Sequence, residues 1–309
     1  MFPRVALRAA SIACALLVGS GWALGDSSVQ SPSLTAVHPP QFWRDLKAAE
    51  FKLDDASKAF ELSNEAVTLL GSTDPELRDD IAYSALVRWV YQDHILLPAQ
   101  LQALQSRLSQ NALYRLGVVD DDSLFLRSFS LLALSILAAE DLEHPFLDRA
   151  GFDSMLGVGL TALAGERDLR GYVPGKGWAH ATAHGADLLK FLARNPLLRP
   201  EQQRQIVEGV AHRLQSAGQV FVWGEDARLA AALAAVARRE DNDPKNFASW
   251  FESLRAQHAE LWRGAFDPAR FAQERAQLNA LAQLGVNLDV DGAAAPVRSL
   301  LLAAYKDLR

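Results

Sequence analysis

The sequence predicts an all-α domain built as a curved stack of antiparallel helical hairpins, and three observations predict it. Apolar residues recur at helical rather than alternating spacing, with good helix formers between them. Marked helix starts at 75, 122, 176 and 225 follow one another at 47, 54 and 49 residues, each interval long enough for a helix, a turn and a returning helix. No segment carries a convincing strand pattern; the run Val220, Phe221, Val222, Trp223 ends at Gly224 and reads as a loop packed on the core.

The elements follow in chain order. Arg4 and Arg8 precede an apolar stretch from Ala9 to Val18 and a small-residue ending at Gly25, the pattern of a secretory signal peptide cleaved after Gly25. The apolar run is about half of the roughly 20 residues that span a bilayer, so the expectation is export to the periplasm or beyond, with no transmembrane span after cleavage. Residues 26–41 are rich in serine and proline and read as a disordered tether, leaving 42–309 as a single all-helical domain. Ile81, Ala85, Leu86 and Trp89 make one stripe of a first helix. Its start is marked by Asp74-Pro75, the next by the acidic cluster 120–123, the third by Gly175-Lys176-Gly177 and the fourth by Glu225-Asp226. Returning helices are expected over 98–114, 152–164, 200–213 and 244–262. The stretch from Leu124 to Ala139 is apolar almost all round, as the central helix of such a stack would be. The period lies near that of HEAT and armadillo units, whereas a closed α/α toroid needs more hairpins than the mature 284 residues supply.

Composition narrows the function classes. With 50% hydrophobic and 22% charged residues the chain can bury a core, while a net charge of −6 and the absence of a Lys/Arg run exclude a phosphate-neutralising nucleic-acid binder. Cleavage would remove Arg4, Arg8 and Cys14, the one cysteine, taking the charge to −8. The mature chain then has neither disulfides nor thiolate chemistry, which suits an oxidising compartment.

The densest polar constellation runs from 175 to 187. On a helix, His180, His184 and Asp187 fall within about 60° of one another, so they can converge on a divalent metal such as zinc, with Asp187 as third ligand or as the group that orients a histidine. The glutamate that serves as general base in the zinc-protease signature is replaced here by Ala181. The other reading is a hydrogen-bonded polar seam between helices, with no metal or other cofactor required. Lys176 and Trp178 flank this cluster. Glu225 and Asp226 either cap the helix that carries Arg228 or complete a site across a groove from the histidines, one of them as general base. Arg127, alone on the most apolar helix, must be paired with an acid on the next hairpin or exposed to an anionic ligand. Arg78, Asp79 and Asp80 read as a solvated helix start. Of the tryptophans left after cleavage, Trp178 and Trp223 sit beside polar clusters and could stack on a sugar, while Trp43, Trp89, Trp250 and Trp262 read as core. His38, His94, His144, His212 and His258 have no such company.

The strings GSTDPELRDDIAY (71–83), DDSLFLRSFSLLAL (121–134), GYVPGKGWAHATAHGADLL (171–189) and FVWGEDARLAAAL (221–233) together resemble the domain of unknown function 2785 family of bacterial proteins. The resemblance covers about 71–260 and implies an all-helical domain without supplying an activity. Two function classes remain. One is an exported binding or scaffold module whose polar groove holds a peptide, glycan or partner protein; the other is a metal-dependent hydrolase using His180, His184 and Asp187 with an acidic base.

Overall fold

The computed structural model describes residues 38–290, 292 and 294–308. The leader expected over 1–25 lies outside them, as does the expected tether up to residue 37. Helix α1 (Pro40–Ala48) opens on a proline, whose fixed φ suits the first turn, so the last two residues assigned to the tether belong to the folded chain.

The described residues are all-α apart from one two-stranded hairpin. Helix α2 (Ala56–Leu69) is capped by Asp55, whose side chain accepts from the Ser57 and Lys58 amides. Next comes α3 (Ser84–Leu86), flanked without a break by the π-helical stretches Glu76–Tyr83 and Val87–Gln92. Then follow α4 (Pro98–Ala112), α5 (Ser123–Glu143), α6 (Arg149–Gly165), β1 (Tyr172–Val173), β2 (Gly177–Trp178), α7 (Ala181–Leu192), α8 (Pro200–Ser216) and α9 (Glu225–Ala237). The chain ends in α10 (Lys245–Leu261), α11 (Pro268–Val290) and α12 (Ala295–Asp307).

Two rows of helices result. In one, α5 packs on α7, α7 on α9 and α9 on α11; in the other, α4, α6, α8, α10 and α12 follow one another, and α4, α6, α8 and α10 lie against α5, α7, α9 and α11 respectively. The tight pairs are therefore out of phase with the expected hairpins, in which each marked start was grouped with the helix after it. A small residue shows why α6 joins α7: a Cβ at Gly159 would lie 3.1 Å from Leu189 Cδ2, so glycine there lets Leu188 and Leu189 close in. Helix α5 is long and apolar enough to cross a membrane by length and composition, but its side chains are the buried centre of this domain.

Five further expectations are corrected. The start placed at 176 is a hairpin turn, and α7 begins at Ala181. Gly175 and Gly177 have φ of +76° and +77°, which hold the chain out of a right-handed helix. Consequently the reading without strands misses β1 and β2, where Tyr172 pairs with Trp178 and Val173 with Gly177. Arg78 is not solvated. It is fully buried between the Phe125 and Phe129 rings, 4.3 and 4.7 Å from their centroids, because the hairpin turn folds back over it. Trp262 is exposed at the end of α10 rather than in the core, whereas Trp43, Trp89 and Trp250 are buried. In the loop before α9, Phe221 packs inward as expected, but Val222 and Trp223 project to solvent.

Arg127 takes the paired alternative and is corrected as a groove residue. It is fully buried on α5, with Nε 2.7 Å and Nη2 3.2 Å from the two carboxylate oxygens of Glu166. Its remaining donors reach the Tyr114, Arg115 and Val118 carbonyls and the Ser123 hydroxyl. Nothing is left to meet a ligand. Glu166 also accepts from the Asp168 amide, and Asp168 grips Arg170. This chain of charges holds the segment that leads into the hairpin.

Candidate functional site

The hairpin and the residue after it place the site. Ala179 and His180 donate their amides to the Gly171 and Arg170 carbonyls, at 2.7 and 3.1 Å, which pins the far end of the hairpin to its beginning. His180 then takes a left-handed conformation, φ 59°, as the N-cap of α7. It is thus outside the helix on which the sequence placed it, yet the His184 amide still donates to the His180 carbonyl and closes the turn. The two imidazoles meet edge to face, 5.8 Å between centroids. A non-glycine residue in this region carries backbone strain of order 1 kcal/mol, held here by the hairpin bonds.

His184 is buried against Phe129. Its Nδ1 donates to Ser128, 2.8 Å from the hydroxyl oxygen and 3.2 Å from the carbonyl, while the Ser128 hydroxyl donates to the Ala179 carbonyl. This chain fixes the tautomer and leaves the lone pair on Nε2. Asp187, one turn on, faces different partners: Lys190 lies 3.1 Å from one carboxylate oxygen and Arg228 of α9 2.7 Å from the other. Both oxygens are engaged by cations, which is the geometry of a seam between α7 and α9 and not of a free metal ligand.

Glu225 joins this seam from the start of α9. It is buried, accepts from the Trp223 amide at 3.0 Å, and brings Oε1 to 3.6 Å from His180 Nε2, a nitrogen with no hydrogen-bond partner among the described residues. Asp226, by contrast, accepts from the neighbouring Ala227 amide and acts as a local cap. Lys176 points away to Asp122, 2.8 Å off, while its carbonyl accepts from Arg78. The structure brings His180, His184, Asp187, Glu225 and Arg228 to one place, whereas Arg127, Lys176 and Asp226 stand apart from them.

Over the seam lies an aromatic wall. Trp178 stacks on His180 with centroids 5.0 Å apart and planes at 27°, and meets Trp223 edge-on at 5.8 Å and Tyr172 at 5.4 Å. These three rings remain 39%, 46% and 47% exposed for Trp178, Trp223 and Tyr172. Gly171 is what seats Trp223, since a Cβ there would overlap the indole. Tyr172 and Trp223 also wall a cleft of about 560 Å³, open to solvent, whose polar lining includes Arg167, Asp168, Arg170 and Glu225. Tyr172 and Tyr83 were missed by sequence reasoning. The first has a readable signal, since it sits opposite Trp178 in a short Gly-punctuated turn; the second, a half-buried phenol in the field of Asp187 and Arg228, has none.

Burial dominates the electrostatics. It pushes the Tyr83 phenol up to about 12, with Asp187 adding to the effect. Burial also raises the Glu225 carboxyl above its ordinary range and lowers His180, the latter with help from Arg228. His184 is pushed down to about 3 by burial and then by His180, against the opposing pull of Asp187. The sign follows from linkage: the folded state keeps His184 neutral while the unfolded chain takes up a proton near 6.5, so stability is lost as pH falls from about 6.5 towards 3. The slope approaches about 1.4 kcal/mol per pH unit. Urea titrations at pH 7 and 5 are expected to differ by about 2 kcal/mol on this account, and His184→Gln is expected to remove that difference. An unchanged pH dependence in the variant would contradict a buried neutral imidazole.

Four histidines that looked solitary in the sequence face carboxylates: His38 meets Glu65, His94 and His144 both meet Glu140, and His258 meets Glu274. His212 is exposed.

A comparison with protein families matches residues 113–284 to the family described as Protein of unknown function (DUF2785). Three of the four strings that carried the resemblance fall in this span; the string at 71–83 precedes it, and the match continues beyond 260, where the resemblance was expected to end. No curated protein and no solved structure matches the chain. With more than half of its residues covered by that one model, the chain belongs to the DUF2785 family.

Proposed function

We propose that this chain is an exported binding protein, a curved stack of helical hairpins whose cleft takes a glycan. The observation that carries the reading is the exposed cluster of Tyr172, Trp178 and Trp223 set directly over a polar seam. Three solvent-facing rings gathered at one place are costly to leave bare, and they offer flat apolar surface with polar edges. The C–H faces of sugar rings fit such surface, while Arg167 and Arg170 supply donors for hydroxyl groups in the adjoining cleft. A peptide or partner protein would also use aromatic anchors, but a small concave cleft rich in charged side chains fits a hydroxylated ligand better. Export fits the leader pattern and the cysteine-free mature sequence.

The test is titration calorimetry against a panel of soluble oligosaccharides. Trp178→Ala and Trp223→Ala are each expected to weaken the bound member by about 2 kcal/mol, near thirtyfold, as loss of a central aromatic anchor does. No binding across the panel, or binding indifferent to both substitutions, would overturn the reading.

One observation favours hydrolysis at the same cleft: Glu225 is a buried carboxyl, raised by burial, that lies 3.6 Å from His180 Nε2. A carboxyl that holds its proton beside a sugar site can act as a general acid. Release of new reducing ends that disappears in Glu225→Gln would move the protein into the enzyme class.

A further inference from the structure

At the other end of α5, about 18 Å along the helix from Ser128, a second polar cluster plays no part in the cleft. Glu140 is a buried carboxylate near the end of α5, and His144, four residues on, is the C-cap of that helix. His94 arrives from the loop after Val87–Gln92, with φ of +49°. Its Nδ1 lies 2.8 Å from Glu140 Oε2, and His144 Nδ1 lies 3.2 Å from Oε1. The two rings are 4.4 Å apart between centroids, and one ligand atom from each of the three residues lies within 4.8 Å of the others.

We propose that His94, Glu140 and His144 form a binding site for a divalent transition metal of the zinc class. The geometry and the donor set support it. Ligands bonded at about 2.0–2.1 Å around a tetrahedral ion stand a little over 3 Å apart, which the two nitrogen–oxygen separations already approach. Among the described residues, the Glu140 carboxylate pairs with these two imidazoles and with no lysine or arginine. Glu143, which accepts from the Tyr91 hydroxyl at 2.7 Å, adds negative charge nearby. The His144 and His94 side chains are 58% and 35% exposed, so the fourth position opens to water. Two imidazoles and one carboxylate select zinc and its borderline neighbours over calcium or magnesium, which prefer all-oxygen sets. A pair four residues apart on a helix, completed by a ligand from a distant loop, is also the usual layout of such sites. The ion would fasten the loop before α4 to the end of the central helix.

The test uses the full mature chain, stripped with chelator, dialysed and titrated with zinc chloride under calorimetry and elemental analysis. One zinc per chain is expected, with a rise in melting temperature on loading. His144→Ala and His94→Ala are each expected to weaken zinc at least about 100-fold, and His184→Ala to leave it unchanged. His144 is the more exposed of the two, so its variant is read alone should His94→Ala fail to fold. Absence of zinc uptake, uptake indifferent to His144→Ala, or uptake lost in His184→Ala would overturn the proposal.

Discussion

Arg127→Met is expected to destabilise the chain by about 3–5 kcal/mol, the range for removing one partner of a buried ion pair. Methionine keeps much of the volume, so the loss comes from polar groups and not from a cavity. Glu166 would keep a charge inside the protein with its bidentate partner gone, and the Tyr114, Arg115 and Val118 carbonyls and the Ser123 hydroxyl would each lose a donor. Arg213 cannot substitute, because it already serves the Glu166 main-chain carbonyl. Urea denaturation checks the value. Adding Glu166→Gln to the variant is expected to restore part of the loss, since the unpaired charge disappears while the amide oxygen can still accept from Asp168. A midpoint shift under about 1 kcal/mol, the level of an exposed pair, would mean that Arg127 is not enclosed as described.

Arg78→Met is expected to cost about 3 kcal/mol or more for a related reason, with a consequence at the cleft. The guanidinium donates to the Ser72 and Lys176 carbonyls, both at 2.8 Å, and its Nε lies 2.7 Å from Asp79. Burial lowers the Arg78 pKa from its usual value, and Asp79 works against that shift, so the charge is held by its partners and by the two phenylalanine rings. The Lys176 contact ties the hairpin turn to the helical stretch that carries Arg78. Gly177 is shaped around it: a Cβ there would lie 3.0 Å from Arg78 Nη2 and 3.0 Å from Pro75 Cβ. Hydrogen exchange is therefore expected to quicken over 172–178 in the variant, beyond the global loss of stability. Exchange there rising no more than in α8 would sever the link between Arg78 and the aromatic wall.

The outer helices were legible in the sequence because prolines and acidic caps announce them. α4, α8 and α10 begin at or just after Pro98, Pro200 and Pro244, within a residue or two of where the sequence placed them. The hairpin was not legible. Its strands are two residues long, too short for an alternating pattern, and the glycines that turn it were read as the start of a helix. Left-handed φ at a histidine has no compositional signal, so His180 was put on a helix that begins one residue later. The meeting of His180 with His184 was legible from spacing alone, but the cations that claim Asp187 come partly from α9, forty-one residues away. Arg127 illustrates the same boundary. A lone arginine on an apolar helix says that it is paired or open to an anionic ligand, and only the packing of α5 beside the end of α6 says that it is paired with Glu166. For His94, Glu140 and His144 the separation of 46 residues between the first two hid a cluster that the i,i+4 pair alone could have suggested.

If the rings of Tyr172, Trp178 and Trp223 are the proposed contact surface, two tryptophan variants must behave differently. Trp223 and Trp262 are both exposed tryptophans, but only Trp223 belongs to the wall above the seam. Calorimetric titration of the tightest oligosaccharide into the parent chain, Trp223→Ala and Trp262→Ala is expected to show affinity falling near thirtyfold in the first variant, from about 2 kcal/mol of lost anchoring, and unchanged in the second. Equal affinity in all three proteins, or a loss confined to Trp262→Ala, would contradict the claim.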